Sequence, residues 1–186
     1  IQLEPPTNPD LIVAKLGRLH IYPFVSEGYR NLYGIPASLS DLKDHKIIKQ
    51  SAPQVDDTAY ARVLGLTSLE GVVGIKTNSS VGVLYAVERG AGIGFLPSSS
   101  IALGAPLVAV DMDGFSHHAD LWLTYHKEFR NSDRHKIVID WIRKIFDPKT
   151  YPCFRDEFIH PNALIPLMTG SRENFGLAGY AAAKPF

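Results

Sequence analysis

The sequence predicts an α/β fold, and three observations carry that prediction. Short apolar runs rich in Val and Ile recur along the chain. Polar capping residues and helical segments follow several of them, and glycine-rich breaks return the chain to the next run. Of the 186 residues, 45% are hydrophobic and 20% charged, near the globular averages of roughly 45–50% and 25%. Disordered, collagen-like and membrane-spanning classes are excluded on composition. No apolar run approaches the ~18–20 residues that cross a bilayer.

Residues 1–10 are polar and Pro-rich and read as loop. Leu19 to Val25 reads as a strand. Ser26 is placed as an N-cap, opening a helix from Glu27 to Tyr33 that Gly34 stops. Ser40-Asp41-Leu42 reads as one helical turn and Lys46-Ile47-Ile48 as a strand. Between residues 49 and 70, short apolar islands among Gln, Asp and Thr suggest two short strands joined by a loop. Val72 to Thr77 is a strand, Asn78-Ser79-Ser80 supplies a cap, and Val81 to Arg89 is a helix with Leu84 and Val87 on one face. Gly90-Ala91-Gly92 ends it, and Ile93 to Leu96 forms a strand closed by Pro97. Leu107 to Val110 and the alternating Ala119 to Tyr125 are strands. Ser132 or Asp133 caps a helix from about Arg134 to Phe146, whose Val138, Trp141, Ile142 and Ile145 fall at i, i+3, i+4 and i+7. Residues 149–186 lack periodicity and read as an extended or partly disordered tail.

The 19 basic and 19 acidic residues cancel, which argues against this segment being itself a nucleic-acid surface. Cys153, the single cysteine, excludes an internal disulfide and a multi-Cys metal site and fits a reducing compartment. Ile1 to Pro6 has neither a basic n-region nor an apolar core, so no signal peptide is visible. It also lacks an initiator Met, and the chain is expected to be the C-terminal piece of something longer.

Each motif has a functional and a plain structural reading. Gly90-Ala91-Gly92-Ile93-Gly94 looks like a dinucleotide loop, yet it follows a helix and opens a strand, the reverse of the order that places a helix N-terminus on a pyrophosphate. A tight turn is the better reading. Thr77 to Ser80 lies between a strand and a helix N-terminus, where free N–H groups and short polar side chains make an anion site. Ser26 has the same setting, with Phe24 placed to line a pocket beside it. Plain capping explains either alone; two in one small α/β unit favour a ligand site. Neighbouring strand residues point to opposite faces, so His117 and His118 are poorly placed to share a metal with Asp120. Asp56-Asp57 reads as a solvated loop, and Cys153 has no nearby activating sequence. No Gly-x-Ser-x-Gly elbow and no catalytic constellation is present. The aromatic set Tyr22, Phe24, Tyr29, Tyr33, Trp122 and Trp141 reads mostly as core.

Five segments in order then resemble one family. Val25-Ser26-Glu27-Gly28-Tyr29 with Tyr33-Gly34-Ile35-Pro36 comes first, followed by Asp41-Leu42 through His45 to Ile48. Asn78-Ser79-Ser80 through Gly90-Ala91-Gly92-Ile93 to Leu96-Pro97 is the third. Leu107-Val108 to Val110 with Leu121-Trp122-Leu123 is the fourth, and Arg130 to Arg134 leading into the Trp141 helix is the fifth. Together they resemble the effector-binding domain of LysR-type transcriptional regulators over about residues 3–150.

The resemblance implies a two-lobed fold of the type II periplasmic-binding-protein kind, with an incomplete first lobe in this chain. Residues 1–24 would end the first lobe and make the first crossover. Residues 25–107 would form the second lobe, 108–150 the second crossover and returning part of the first, and 151–186 a tail. It implies a small effector, a carboxylate or aromatic acid, bound between lobes that close about hinges near Pro23–Ser26 and Ala105–Asp111. Ser26, Asn78 and Ser79 are the implied effector residues, with Pro53 and Gln54 as weaker candidates. It further implies a cytoplasmic, bacterial, non-enzymatic regulator without cofactor. Such a protein contacts DNA through an upstream helix-turn-helix outside this chain, as a homodimer or homotetramer, without a membrane partner. The alternatives are a solute-binding protein of a transport system and an enzyme on the same fold.

Overall fold

The computed structural model describes residues 1–51 and 56–169. Pro53 and Gln54 therefore lie outside the described residues. Among the described residues six strands form one sheet: β1 Leu11–Val25, β2 Ile47–Gln50, β3 Val73–Thr77, β4 Ile93–Pro97, β5 Val108–Ala109 and β6 His117–His126. Five α-helices among the described residues accompany them: α1 Glu27–Tyr33, α2 Asp57–Val63, α3 Ser80–Glu88, α4 Asp133–Ile145 and α5 Pro161–Leu167. The strand order is β3-β2-β4-β1-β5, with β6 also paired to β1.

β1 is the spine of this arrangement. It begins eight residues before the expected Leu19, because both of its faces are partly covered and it lacks the alternation that marks a half-exposed strand. Leu11 to Ile21 pair antiparallel with β6, with a register shift between Lys15 and Gly17. Ile21 to Phe24 pair antiparallel with β4 on the opposite edge. Phe24 and Val25 pair with β5. The exchange of partners is centred on Ile21, nearer the middle of the strand than the expected hinge at Pro23–Ser26.

The locally signalled elements form where the sequence puts them. Ser26 Oγ accepts the Tyr29 N–H at 3.1 Å, and Gly34 ends α1 at φ 72°. Between 49 and 70 the expectation of two strands is overturned. Asp56 caps α2 by accepting the Ala59 N–H at 2.8 Å, and Ala61 and Leu64 bury one helical face against the sheet. α4 forms as expected, but rotated. Ile139 is buried, and Ile142 and Phe146 pack against the same cluster. Val138 and Trp141 are 52% and 61% exposed, so of the expected stripe Ile142 reaches the core cluster while Val138 and Trp141 face outward. Tyr33 is likewise exposed rather than core.

Apolar side chains gather in three clusters. One joins Val25, Leu42, Ile47, Leu64, Ile93 and Val110 on the α1–α2 face of β2 and β4. A second joins Phe24, Ile48, Val83, Val87 and Leu96 under α3. The third joins Leu16, Leu121, Leu123 and Ile139 with Tyr151, Cys153, Phe154, Leu164 and Met168. Its composition corrects the expectation of an extended or disordered tail as far as residue 169. A 3₁₀ turn at Pro152–Phe154 and then α5 fold back onto β1. The sequence hides this because α5 is only seven residues long and contains Pro166.

Gly17 is required by that packing. A Cβ there would stand 2.8 Å from the Phe154 carbonyl oxygen and 2.9 Å from Phe154 Cβ. Gly17→Val should lower stability by roughly 1–3 kcal/mol through overpacking, read as a lower urea midpoint. An unchanged midpoint would mean that Phe154 does not seat on β1.

Candidate functional site

β2 runs parallel to both β3 and β4, so the carboxyl ends of these three strands lie together. In open α/β sheets that end is where ligands bind. Here β2 delivers Gln50 and Ser51, and β3 delivers Thr77 and the segment Asn78-Ser79-Ser80 that opens α3. Gln50 Nε2 donates to Ser80 Oγ at 2.8 Å. The Ser51 N–H donates to the Thr77 carbonyl at 2.7 Å, closing the two strand ends together.

The head of α3 is organised by short polar side chains. Ser79 Oγ accepts the Gly82 N–H at 3.1 Å, and Thr77 Oγ1 accepts the Ser79 N–H at 3.2 Å. A helix leaves its first N–H groups without an intrahelical partner. Ser79 satisfies that of Gly82. Those of Ser80 and Val81 have no partner among the described residues. Asn78, Ser79, Ser80 and Val81 are all exposed. The arrangement offers two backbone donors, an amide and two hydroxyls at the positive end of a nine-residue helix.

Ser26 is not part of this group. β1 is antiparallel to β4, with Phe24 opposite Gly94, so the carboxyl end of β1 lies at the amino ends of β2, β3 and β4. A Cβ at Gly90, just past the end of α3, would stand 3.2 Å from Ser26 Oγ. Ser26 and Ser79 are thus separated by the length of α3, about 13 Å at 1.5 Å per residue. Ser26 is also buried, with its hydroxyl committed to capping α1. Phe24 is fully buried beneath α3, packed with Ile48, Val83 and Val87. The sequence brings Asn78 and Ser79 together and misses Gln50 and Ser51. The signal for those two was their place at the end of the strand that Ile47-Ile48 marks.

Beside Gln50, Lys49 is 1% exposed. Its ammonium reaches Asp57 Oδ1 at 2.7 Å and lies 5.4 Å from the centre of the Tyr60 ring. Tyr60 and Asp57 both belong to α2, so this ion pair docks the helix onto β2. Hydrogen bonding from Lys49, then from Lys76, holds the Asp57 carboxyl below the usual carboxylate range. Between α2 and β3 a concavity of about 560 Å³ is lined by Asp57, Thr58, Ser68, Glu70 and Lys76. Among the described residues, Ser26, Asn78 and Ser79 do not line it.

Three comparisons place this geometry among known proteins. The model of the family described as LysR substrate binding domain matches residues 1–147. No curated protein matches the chain. Among solved structures, the regulatory domain of CrgA, a LysR-type transcriptional regulator from Neisseria meningitidis, is similar at 14% identity and a TM-score of 0.62, over 77% of this chain and 72% of that one. The regulatory domain of AphB from Vibrio vulnificus is similar at 19% identity and 0.55, over 76% and 71%. Full-length AphB of Vibrio cholerae, a virulence activator, is similar at 17% identity and 0.57, but the matched part is 48% of its length. At these identities the structures speak to fold alone. They bear out the α/β, two-lobed class expected from sequence.

The Lys49–Asp57 pair gives a pH signature. A depressed carboxylate contributes stability that is full above its unfolded value, about 3.9, and fades as pH falls through its lower folded value. Asp57→Asn should lower the urea midpoint at pH 7, and its deficit against wild type should shrink below pH ~4. A deficit constant from pH 7 to the acid limit would contradict an ionic origin.

Proposed function

We propose, from the premise that this chain belongs to the LysR substrate binding domain family, that its effector is a small organic anion held at the head of α3. Membership rests on the family match over residues 1–147. The chain is therefore an effector-sensing regulatory domain of the LysR type, and the match does not favour a solute-binding protein of a transport system.

The observation that carries the anion reading is the pair of N–H groups at Ser80 and Val81 without a partner among the described residues, flanked by Asn78 and the Ser79 hydroxyl. A carboxylate there would accept charge-assisted hydrogen bonds, which are shorter and roughly twice as strong as neutral ones. Gln50 and Ser51 line the same end of the sheet and supply further polar contacts. Pro53 and Gln54 follow after Ala52 in the chain and are retained in the proposed site. Ser26 is not retained, because its hydroxyl faces the other end of the sheet.

We place the end of the first lobe and the first crossover at residues 1–24, the second lobe at 25–107, and the second crossover with the returning part of the first lobe at 108–150. They are joined where β1 changes partners near Ile21 and where the chain returns through Val110 to Met112. Effector bound at the strand carboxyl ends would change the angle between these parts, a hinge motion. The chain spans about half the length of the full-length relatives, 48% and 51%. The rest of the assembly is accordingly part of the proposal: a helix-turn-helix carried elsewhere in the regulator, DNA as its partner, a homodimer or homotetramer, and action in the cytoplasm without catalysis. Among the described residues no helix is long and apolar enough to cross a membrane.

Asn78→Asp separates ligand binding from stability. A carboxylate near a helix N-terminus favours the helix by about 0.3–1 kcal/mol, so thermal stability should hold or rise. The same charge repels an anion, so affinity for benzoate or succinate, read by isothermal titration, should fall by about tenfold or more. Unchanged affinity for an acid that wild type binds would overturn the site.

A further inference from the structure

Residues 151–168 lie beyond the family match, which ends at 147, and the effector reading makes no use of them. They are nonetheless firmly attached. On the inner side Tyr151, Cys153, Phe154, Leu164 and Met168 are buried with Leu16, Leu121, Leu123 and Ile139. On the outer side the attachments run along β1 in sequence. Asp156 Oδ1 lies 2.6 Å from Lys15 Nζ and 3.7 Å from Arg18 Nε. His20, a buried ring, donates its Nε2 hydrogen to the Arg155 carbonyl at 3.0 Å. Phe158 stacks on Tyr22 at 5.5 Å between ring centres and meets the His20 ring edge-on at 5.6 Å.

The last attachment leaves β1. His160 Nε2 lies 2.7 Å from Asp111 Oδ1, and the same oxygen accepts the Tyr22 hydroxyl at 2.7 Å. Asp111 follows Val110, whose N–H donates to the Pro23 carbonyl at 3.0 Å. One segment therefore grips the strand that leaves the first part of the sheet and the connection that returns to it.

We propose that residues 151–168 are an intramolecular strap that ties the two crossover connections, Arg18–Tyr22 and Val110–Met112, and resists rotation between the two parts of the molecule. Bending β1 about Ile21 changes the separation of Lys15, His20, Tyr22 and Asp111, and the strap touches all four. A change of interlobe angle must loosen the Phe158, His160 or Asp156 contacts, so the strap sets how much effector binding is needed to move the domain. Its regulatory purpose rests on the effector reading above; its mechanical role does not.

Cys153, the single cysteine, reports on the strap. It is buried in the third cluster, and burial pushes its thiol up to about 11, so the attached strap should react slowly with dithiobis(nitrobenzoate). The test compares the unliganded wild-type chain with Asp111→Asn/Phe158→Ala, and with the milder His160→Gln, which keeps the fold if the double variant does not. Cys153 labelling and backbone hydrogen exchange are followed by mass spectrometry. The strap predicts labelling faster by about tenfold, with exchange at Arg18–Tyr22 and Val110–Met112 rising together while β2 and β3 stay protected. Three results would overturn it. Unchanged labelling would mean that these contacts do not hold the segment. Faster labelling with both crossovers unchanged would mean a passive tail. Acceleration reaching β2 and β3 would mean a general core element. No ligand is present, so failure here is distinct from failure of the anion site, which the acid titration reads.

Discussion

The pairing of a single strand with partners on both edges is the constraint on which the structure depends. β1 holds β6 along its first two-thirds, then β4 and β5 at its end. Its register sets both halves of the sheet at once. A slip of one residue would turn Leu16 and Phe24 to the wrong faces, exposing Leu16 of the third cluster and Phe24 of the cluster under α3. Because β1 is antiparallel to β4 while β2, β3 and β4 are parallel, it also fixes which polar residues share an end of the sheet. Gln50, Ser51 and Asn78 to Ser80 come together, and Ser26 is sent to the other end.

Local chemistry was legible in the sequence, and non-local geometry was not. Ser26 and Ser79 cap their helices as read, and Gly34 and Gly90 end them at positive φ, because a cap needs only its next three residues. Whether those two caps share a site depends on strand direction across the sheet, which no local pattern carries. The family resemblance supplied the fold and placed Ser26 with Asn78 and Ser79. The strand polarity separates Ser26 from them.

The misreadings have particular causes. α2 was hidden because its seven residues contain Thr58 and Val63, weak helix formers, and its strongest anchor is Lys49 on another element. The face of α4 was misread because two apolar stripes compete on it, and the one through Ile139 meets the third cluster. The attachment of 151–168 was invisible because His20, Tyr22 and Asp111 recruit it across more than forty residues. Its sequence has turns and prolines in place of periodicity.

The central claim is that the carboxyl ends of β2 and β3, with the head of α3, form the effector site. Amide chemical-shift mapping of the ¹⁵N-labelled chain during benzoate titration tests it most directly. The account predicts that the largest shifts fall on Gln50, Ser51 and Asn78 to Gly82, with smaller ones near Ile21 as the hinge responds. Largest shifts at Ser26 to Tyr29, or in the concavity lined by Thr58, Ser68 and Glu70, would contradict it.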